Sequence, residues 1–259
     1  MKPFGTPGTT RWNRDNGWVL DVAVDPSNSS IVYSASDAVR KSTDGGHIWK
    51  TVLQPYPTQW HLVTRIAIAQ TRPESIYAIA HAYPNGRTAI YKSTDAGGTW
   101  QVTGGSASSL PPSCCGDSQD ALAVDPGNPQ TLYAAVGDTV LATTDGGASW
   151  QPMANGLPAN DVTSLAVDPQ RPGIVYASVV TKLNRVNSNA VAGAIYKTTD
   201  GGQTWSEVFS GFGVQKVAVD PARPSTVYAE GWASRDSTHQ DVFRLLRSTD
   251  GGRIWTSSP

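Results

Sequence analysis

The chain is poor in the residues that most often carry chemistry. Its two cysteines, Cys114 and Cys115, are neighbours. Adjacent cysteines cannot staple distant parts of a fold. They read as two free thiols in a loop or, less favoured, as a strained vicinal disulfide that stiffens it. Two thiols and four scattered histidines (His47, His61, His81, His239) do not make a metal site, since zinc asks for four ligands, or three and a water. No metal or cofactor is expected. Glutamate is nearly absent, with Glu74, Glu207 and Glu230 the only ones. Charge of one sign is absent too: 20 Lys and Arg face 21 Asp and Glu in 259 residues, for a net charge of -1. That leaves no electrostatic footprint for nucleic acid or an anionic membrane. No apolar run approaches the roughly 20 residues that cross a bilayer, so membrane insertion is not expected. The opening MKPFGTPGTTRWN holds no apolar segment of the kind a secretion signal needs.

What the chain has in quantity is repetition. Trp49, Trp100, Trp150, Trp205 and Trp255 follow one another at 51, 50, 55 and 50 residues. Each closes a copy of one phrase: STDGGHIW from Ser42, STDAGGTW from Ser93, TTDGGASW from Thr143, TTDGGQTW from Thr198 and STDGGRIW from Ser248. A second phrase precedes each one. It reads VAVDPSNSSIVYS from Val22, IAIAQTRPESIYA from Ile66, LAVDPGNPQTLYA from Leu122, LAVDPQRPGIVYA from Leu165 and VAVDPARPSTVYA from Val217.

Each unit parses into four short strands: an apolar run, a β-branched and aromatic run after the Asp-Pro turn, a third ending at the Ser/Thr-Thr-Asp, and a fourth starting at the Trp. No helical period is sustained. Sheets this small cannot bury both faces alone, so they must stack. A radial stack of four-stranded antiparallel sheets is a β-propeller. The expectation is an all-β domain over 1–259 with five blades near 17–56, 60–106, 118–156, 160–209 and 213–259. Residues 1–16 lie outside them, and 11–17 read like the outer strand of a preceding blade. Two arrangements stay open, a closed five-bladed ring, which is preferred, and part of a larger propeller with open edges.

The phrase S-x-D-x-G-x-T-W resembles the Asp box, or bacterial neuraminidase repeat. The copy at Ser93 matches every fixed position, while Ile48, Ile254, Ser149, Thr143 and Thr198 depart mildly. Together with VDPxxPxxVYA it is similar to the propellers of xyloglucanases, sortilin-type receptors and photosystem II assembly factors. The resemblance implies an extracellular or periplasmic protein. A turn repeated five times has a folding role, whereas chemistry happens once. Asp44, Asp95, Asp145, Asp200 and Asp250 are therefore expected to accept hydrogen bonds within their own turns. Their tryptophans are expected to insert between sheets, each worth about 3–5 kcal/mol. Asp25, Asp125, Asp168 and Asp220 read as turn formers. A calcium loop is excluded because the closing Glu of an EF-hand is missing.

Function should sit where the copies differ. In a meander the 2–3 loops and the links between blades share one face. Length varies there, in 81–87, 103–120, 181–193 and 231–241. The loops and links of that face hold Trp60, His61, His81, Tyr83, Arg87, Lys182, Arg185, Trp232, Arg235 and His239 as candidates to bind a glycan or protein. Each of them also reads as an ordinary solvated loop residue, and His61 as a cap on an inner strand. For hydrolysis, which needs two carboxylates across a cleft, the candidates are Asp120, Glu230, Asp236 and Asp241. The Arg-Ile-Pro of sialidases is not found, since Arg65-Ile66 runs into Ala67. The preferred reading is a non-catalytic binding platform. The alternatives are a xyloglucanase-like glycoside hydrolase and an assembly or scaffold factor.

Overall fold

The computed structural model describes residues 19–56, 60–83, 87–104, 110, 120–137, 139–158, 161–180, 192–233 and 242–257. All regular structure among them is antiparallel β, in four sheets. The first sheet is β1 (Asp21–Val24), β2 (Val32–Ala35), β3 (Val39–Ser42) and β4 (Lys50–Leu53), in that order. The second is β5 (Trp60–Ala69), β6 (Arg72–Tyr83), β7 (Arg87–Ser93) and β8 (Gln101–Val102). The third is β9 (Ala121–Val124), β10 (Leu132–Val136), β11 (Thr139–Thr143) and β12 (Gln151–Pro152). The fourth has seven strands: β13 (Asp161–Val167), β14 (Val175–Val180), β15 (Ala192–Thr198), β16 (Ser206–Val219), β17 (Val227–Ala233), β18 (Val242–Ser248) and β19 (Thr256–Ser257).

The seven-stranded sheet replaces two separate four-stranded ones because β16 never breaks. Residues 206–212 pair with β15 and 213–219 pair with β17. No proline, Asp or Asn interrupts SEVFSGFGVQKVAV, so nothing there forces a turn. At the changeover the backbones nearly touch, and a Cβ on Gly231 would overlap the Gly213 carbonyl.

The cores lie between sheets. Tyr33, Ala35 and Val39 of the first pack on Val63 and Ile66 of the second. Ile79 and Ile90 pack on Ala134 and Val136. Tyr133 and Val140 pack on Val162, Leu165 and Trp205. Tyr176 and Ile195 pack on Val217 and Val227. The first strands contact one another in series, β1 to β5, β5 to β9, β9 to β13 and β13 to β16. Polar side chains tie this series together. Asp21 Oδ2 accepts from the Ile66 amide at 2.9 Å, and the Thr163 hydroxyl donates to the Val214 carbonyl at 3.2 Å.

The repeated turn does three jobs. First, it closes on itself. The Ser42 hydroxyl donates to Asp44 Oδ1 at 2.7 Å and accepts from the Gly46 amide at 2.8 Å. The same pair of bonds forms at Ser93, Thr143, Thr198 and Ser248. Gly45 and Gly46 take φ of 73° and 97° to allow it, and Ala96 holds the equivalent place at φ 56°. Second, the residue after the Asp anchors the turn to its own sheet: the Gly45 amide donates to the Ser30 carbonyl at 2.9 Å and the Gly251 amide to Ser225 at 2.8 Å. Third, the carbonyl of that residue receives the preceding sheet. Tyr33 and Lys41 both donate to the Ala96 carbonyl at 2.8 Å. Lys92 donates to Gly146 at 2.8 Å, and Tyr176 and Lys197 to Gly251 at 3.0 and 2.8 Å. Each lysine ammonium also lies 5.2–5.5 Å from the centre of its tyrosine ring. Burial pushes the Tyr33 and Tyr176 hydroxyls up to about 12, which keeps them protonated as donors.

The tryptophans are less deeply set than expected. Trp205 is 5 % exposed, but Trp49, Trp100, Trp150 and Trp255 are half-buried at the rim. The indoles of Trp150, Trp205 and Trp255 donate back to Thr103, Met153 and Val208 of the preceding strands. Trp49 bonds to its own Gly46 carbonyl at 2.8 Å. Trp205→Ala should therefore cost about 3–5 kcal/mol and Trp49→Ala only about 1–2 kcal/mol, as read by urea unfolding.

The Asp-box carboxylates also set the acid limit of the fold. The Thr99 amide and hydroxyl, with Ser93, hold Asp95 down at about 2. The Thr204 and Thr198 hydroxyls and the Thr204 amide hold Asp200 at about 2. A carboxyl lowered on folding stabilises fully above its unfolded value of about 3.9 and loses that contribution as pH falls through the folded one. We expect the unfolding midpoint to fall between about pH 4 and pH 2, and less steeply in Asp95→Asn and Asp200→Asn. Denaturant midpoints measured across that range check it.

Candidate functional site

The second sheet places most of the described candidates. Register sets Trp60 directly opposite Tyr83, His61 opposite Ala82, and Ala82 opposite Arg87. Trp60, Tyr83 and Arg87 thus mark the end of the sheet where β6 turns into β7. Arg87 is exposed and Tyr83 half-buried. One residue inward, chemistry gives way to packing. His61 is buried, with its ring edge-on to Tyr56 at 6.2 Å and 61°. Tyr56 in turn meets Tyr91 at 6.4 Å.

His81 and Asp120 form the most concentrated polar group among the described residues. His81 Nδ1 lies 2.9 Å from the Thr88 hydroxyl, and its Nε2 lies 2.5 Å from Asp120 Oδ2. The Thr64 hydroxyl donates to the same oxygen at 2.5 Å. Register explains the assembly. His81 faces Thr88 across β6 and β7. Thr64 is the extra residue of a bulge in β5 between Val63 and Arg65, and a bulge re-aims a side chain. Asp120 is the residue before β9, so the cluster joins the second sheet to the third. His81 is 1 % and Asp120 0 % exposed. Asp120 Oδ1 is buried with no hydrogen-bond partner.

The remaining candidates separate. Glu230 and Trp232 lie on β17, far along the chain from this cluster. Glu230 is half-buried opposite Lys216 and Leu245, and Trp232 packs edge-to-face on Phe243 at 5.4 Å and 74°. Lys182, Arg185, Arg235, Asp236, His239 and Asp241, and with them Cys114, Cys115 and Asp117, lie outside the described residues. The Asp-Pro aspartates are turn formers as read: Asp25, Asp125, Asp168 and Asp220 each accept from the amide two residues on, at 2.8–2.9 Å. No group of three or more His, Cys, Asp or Glu suited to a metal ion occurs among the described residues. Thr64 and Thr88 were missed, because hydroxyls brought beside a histidine from neighbouring strands carry no signature in sequence. The cation before four of the five boxes was a missed signal of another kind. Lys41, Lys92, Lys197 and Arg247 recur in register with the tyrosines and were there to be read.

Comparisons with known proteins agree with the architecture. The BNR/Asp-box repeat matches residues 196–207. A xyloglucanase from Paenibacillus sp is 26 % identical over 211 residues, covering 66 % of this chain and 20 % of its own length. A xyloglucanase from Hypocrea jecorina is 23 % identical over 266 residues, covering 88 % and 31 %. The chain thus spans less than a third of the length of these relatives. Among solved structures, an ancestral GH74 enzyme superposes with a TM-score of 0.66 at 21 % identity, over 88 % of this chain and 30 % of its own. YCF48 bound to D1 peptide superposes with a TM-score of 0.51 at 14 % identity, over 93 % and 80 %. The chain is an all-β, propeller-like protein carrying Asp-box repeats, similar in sequence to xyloglucanases and in fold to GH74 enzymes and YCF48.

The buried cluster gives a direct stability test. We expect His81→Ala and Asp120→Ala each to cost about 3–5 kcal/mol, because either leaves a buried polar partner uncompensated. The double variant should cost clearly less than the sum, as a double-mutant cycle measured by urea unfolding would report.

Proposed function

We propose that this chain is a non-catalytic propeller module of five four-stranded blades, the seven-stranded sheet counting as two. On this reading it binds a glycan at the end of the sheets where the 2–3 loops lie. The observation that carries the proposal is the register of the second sheet. It sets Trp60 against Tyr83, at an end that no Asp box occupies, with Arg87 at the same end opposite Ala82. An aromatic pair at one sheet end suits the apolar face of a sugar ring. The sequence likeness to xyloglucanases supports a β-glucan of the xyloglucan type as the ligand. The placement of the carboxylates supports a binding role over hydrolysis. Asp120 is enclosed by His81 and Thr64, and Glu230 stands on another sheet from Trp60 and Tyr83. Asp236 and Asp241 remain the carboxylates through which a xyloglucanase-like hydrolase would have to work.

Titration with xyloglucan, followed by calorimetry or affinity electrophoresis, tests this. Trp60→Ala and Tyr83→Ala should each weaken binding about tenfold, the loss of ~1.4 kcal/mol. Reducing-sugar release should stay at background. Release that vanishes in an Asp236→Asn, Asp241→Asn double variant would make the chain the hydrolase instead. A second reading, peptide binding at the same end, draws support from the extent of the match to YCF48. It predicts no affinity for xyloglucan and a Trp60-dependent signal on a peptide array.

A further inference from the structure

The joint between sheets is built from matching halves, and each half also occurs unpaired at one end of the molecule. Inside, the donor half is a tyrosine and the cation opposite it: Tyr33 with Lys41, and Tyr176 with Lys197. The acceptor half is the box carbonyl of the following sheet. Register puts Tyr228 opposite Arg247 at the equivalent place on β17 and β18. No side-chain hydrogen bond of either residue is found among the described residues. At the other end, the Gly45 carbonyl of the first sheet occupies the position of Ala96, Gly146, Gly201 and Gly251; like Gly201 it receives no side-chain donor among the described residues, whereas the other three do. A Cβ on Gly251 would lie 3.4 Å from Lys197 Nζ and 3.6 Å from the Tyr176 hydroxyl, but a Cβ on Gly45 would meet nothing within 4 Å.

Burial reports the same two vacancies. Val22 occupies the register position of Ile66, Leu165 and Val217. Those three are 5 %, 9 % and 6 % exposed, while Val22 is 54 % exposed. Leu245 occupies the position of Val39, Ile90, Val140 and Ile195, all fully buried, yet it is 42 % exposed. Around them Val19, Val24, Trp232 and Phe243 are exposed as well. Leu122, at the Val22 position of the third sheet, is partly buried, so the end copies are the most open of their series and mark a face suited to be covered.

We propose that the free face of the last sheet docks onto the first sheet of a second copy of this chain, repeating between molecules the joint already made within one. Tyr228 and Arg247 donate to the Gly45 carbonyl of the other copy, with Arg247 set beside its Asp44 carboxylate. Leu245, Phe243 and Trp232 cover Val22 and Val24. The contact is head-to-tail, so each copy offers one donor face and one acceptor face. The joint closes if the rotation permits and extends if it does not.

Sedimentation velocity on wild-type chain, Val22→Asp, Leu245→Asp, and equimolar mixtures tests this. Both substitutions fall on exposed side chains, and circular dichroism checks their folding. Arg247→Glu serves as the alternative donor-face variant. Wild type should associate with rising concentration, and each single variant should do so at least about tenfold more weakly. Mixing Val22→Asp with Leu245→Asp should restore a dimer, because the first keeps an intact last sheet and the second an intact first sheet. The proposal is overturned if wild type stays monomeric throughout, as closure onto its own first sheet would give. It is equally overturned if one variant associates like wild type, or if the mixture stays monomeric, as pairing of like faces would give.

Discussion

A single backbone carbonyl, that of the residue after each Asp-box aspartate, holds the sheets in place. Its amide is bonded to its own sheet, and its oxygen receives the tyrosine and lysine of the sheet before at Ala96 and Gly251 and the lysine alone at Gly146. A carbonyl serves as a fixed acceptor only if its peptide plane is fixed. The Ser or Thr hydroxyl and the Asp carboxylate do this, by occupying the amides that would otherwise let the turn relax. Glycine follows from the same demand, because the plane sits at positive φ. Serine, aspartate and glycine thus recur for one mechanical reason. The carboxylates are spent in their own turns and are unfit to serve as acids or bases.

Much of this was legible in the sequence, and the parts that were not fail for identifiable reasons. The third strands end at Ser42, Ser93, Thr143, Thr198 and Ser248 as read, because the turn chemistry is local. The division into separate four-stranded sheets gave way at β16, where the link between units is itself β-forming and no residue demands a turn. The depth of the tryptophans was overestimated. Burial depends on what the neighbouring sheet presents, and only Trp205 meets a wall that closes over it. Asp120 looked like a candidate acid because it is a carboxylate beside a long variable segment. Its meeting with His81 and Thr64 is made by stacking one sheet on another, which no spacing in the chain expresses.

The same reasoning separates residues that hold the sheets together from those at the opposite end of the sheets. Every interior joint uses a turn at one end of the sheets, while Trp60, Tyr83 and Arg87 lie at the other. The turn bonds do not involve that second end, where His81 and Asp120 make a separate link between the second and third sheets. His61 and His81 sit at the boundary. They share a sheet end with Trp60 and Tyr83 but are closed in by Tyr56 and by Asp120.

A stack held by identical joints has no internal reason to stop. Each added sheet satisfies the one before it and presents the same face again, so stability in such a series is a sum of nearest-neighbour terms. The cost of stopping falls on the last face, in open apolar area and an unanswered donor, and on the first, in an unanswered carbonyl. A globular core hides its ends by surrounding them, but a linear stack must cap them, close on itself or find another sheet. The chain keeps Val22 and Leu245 on those faces, with Tyr228 and Arg247 still in register beside the leucine, so its terminal sheets are still made as interior ones.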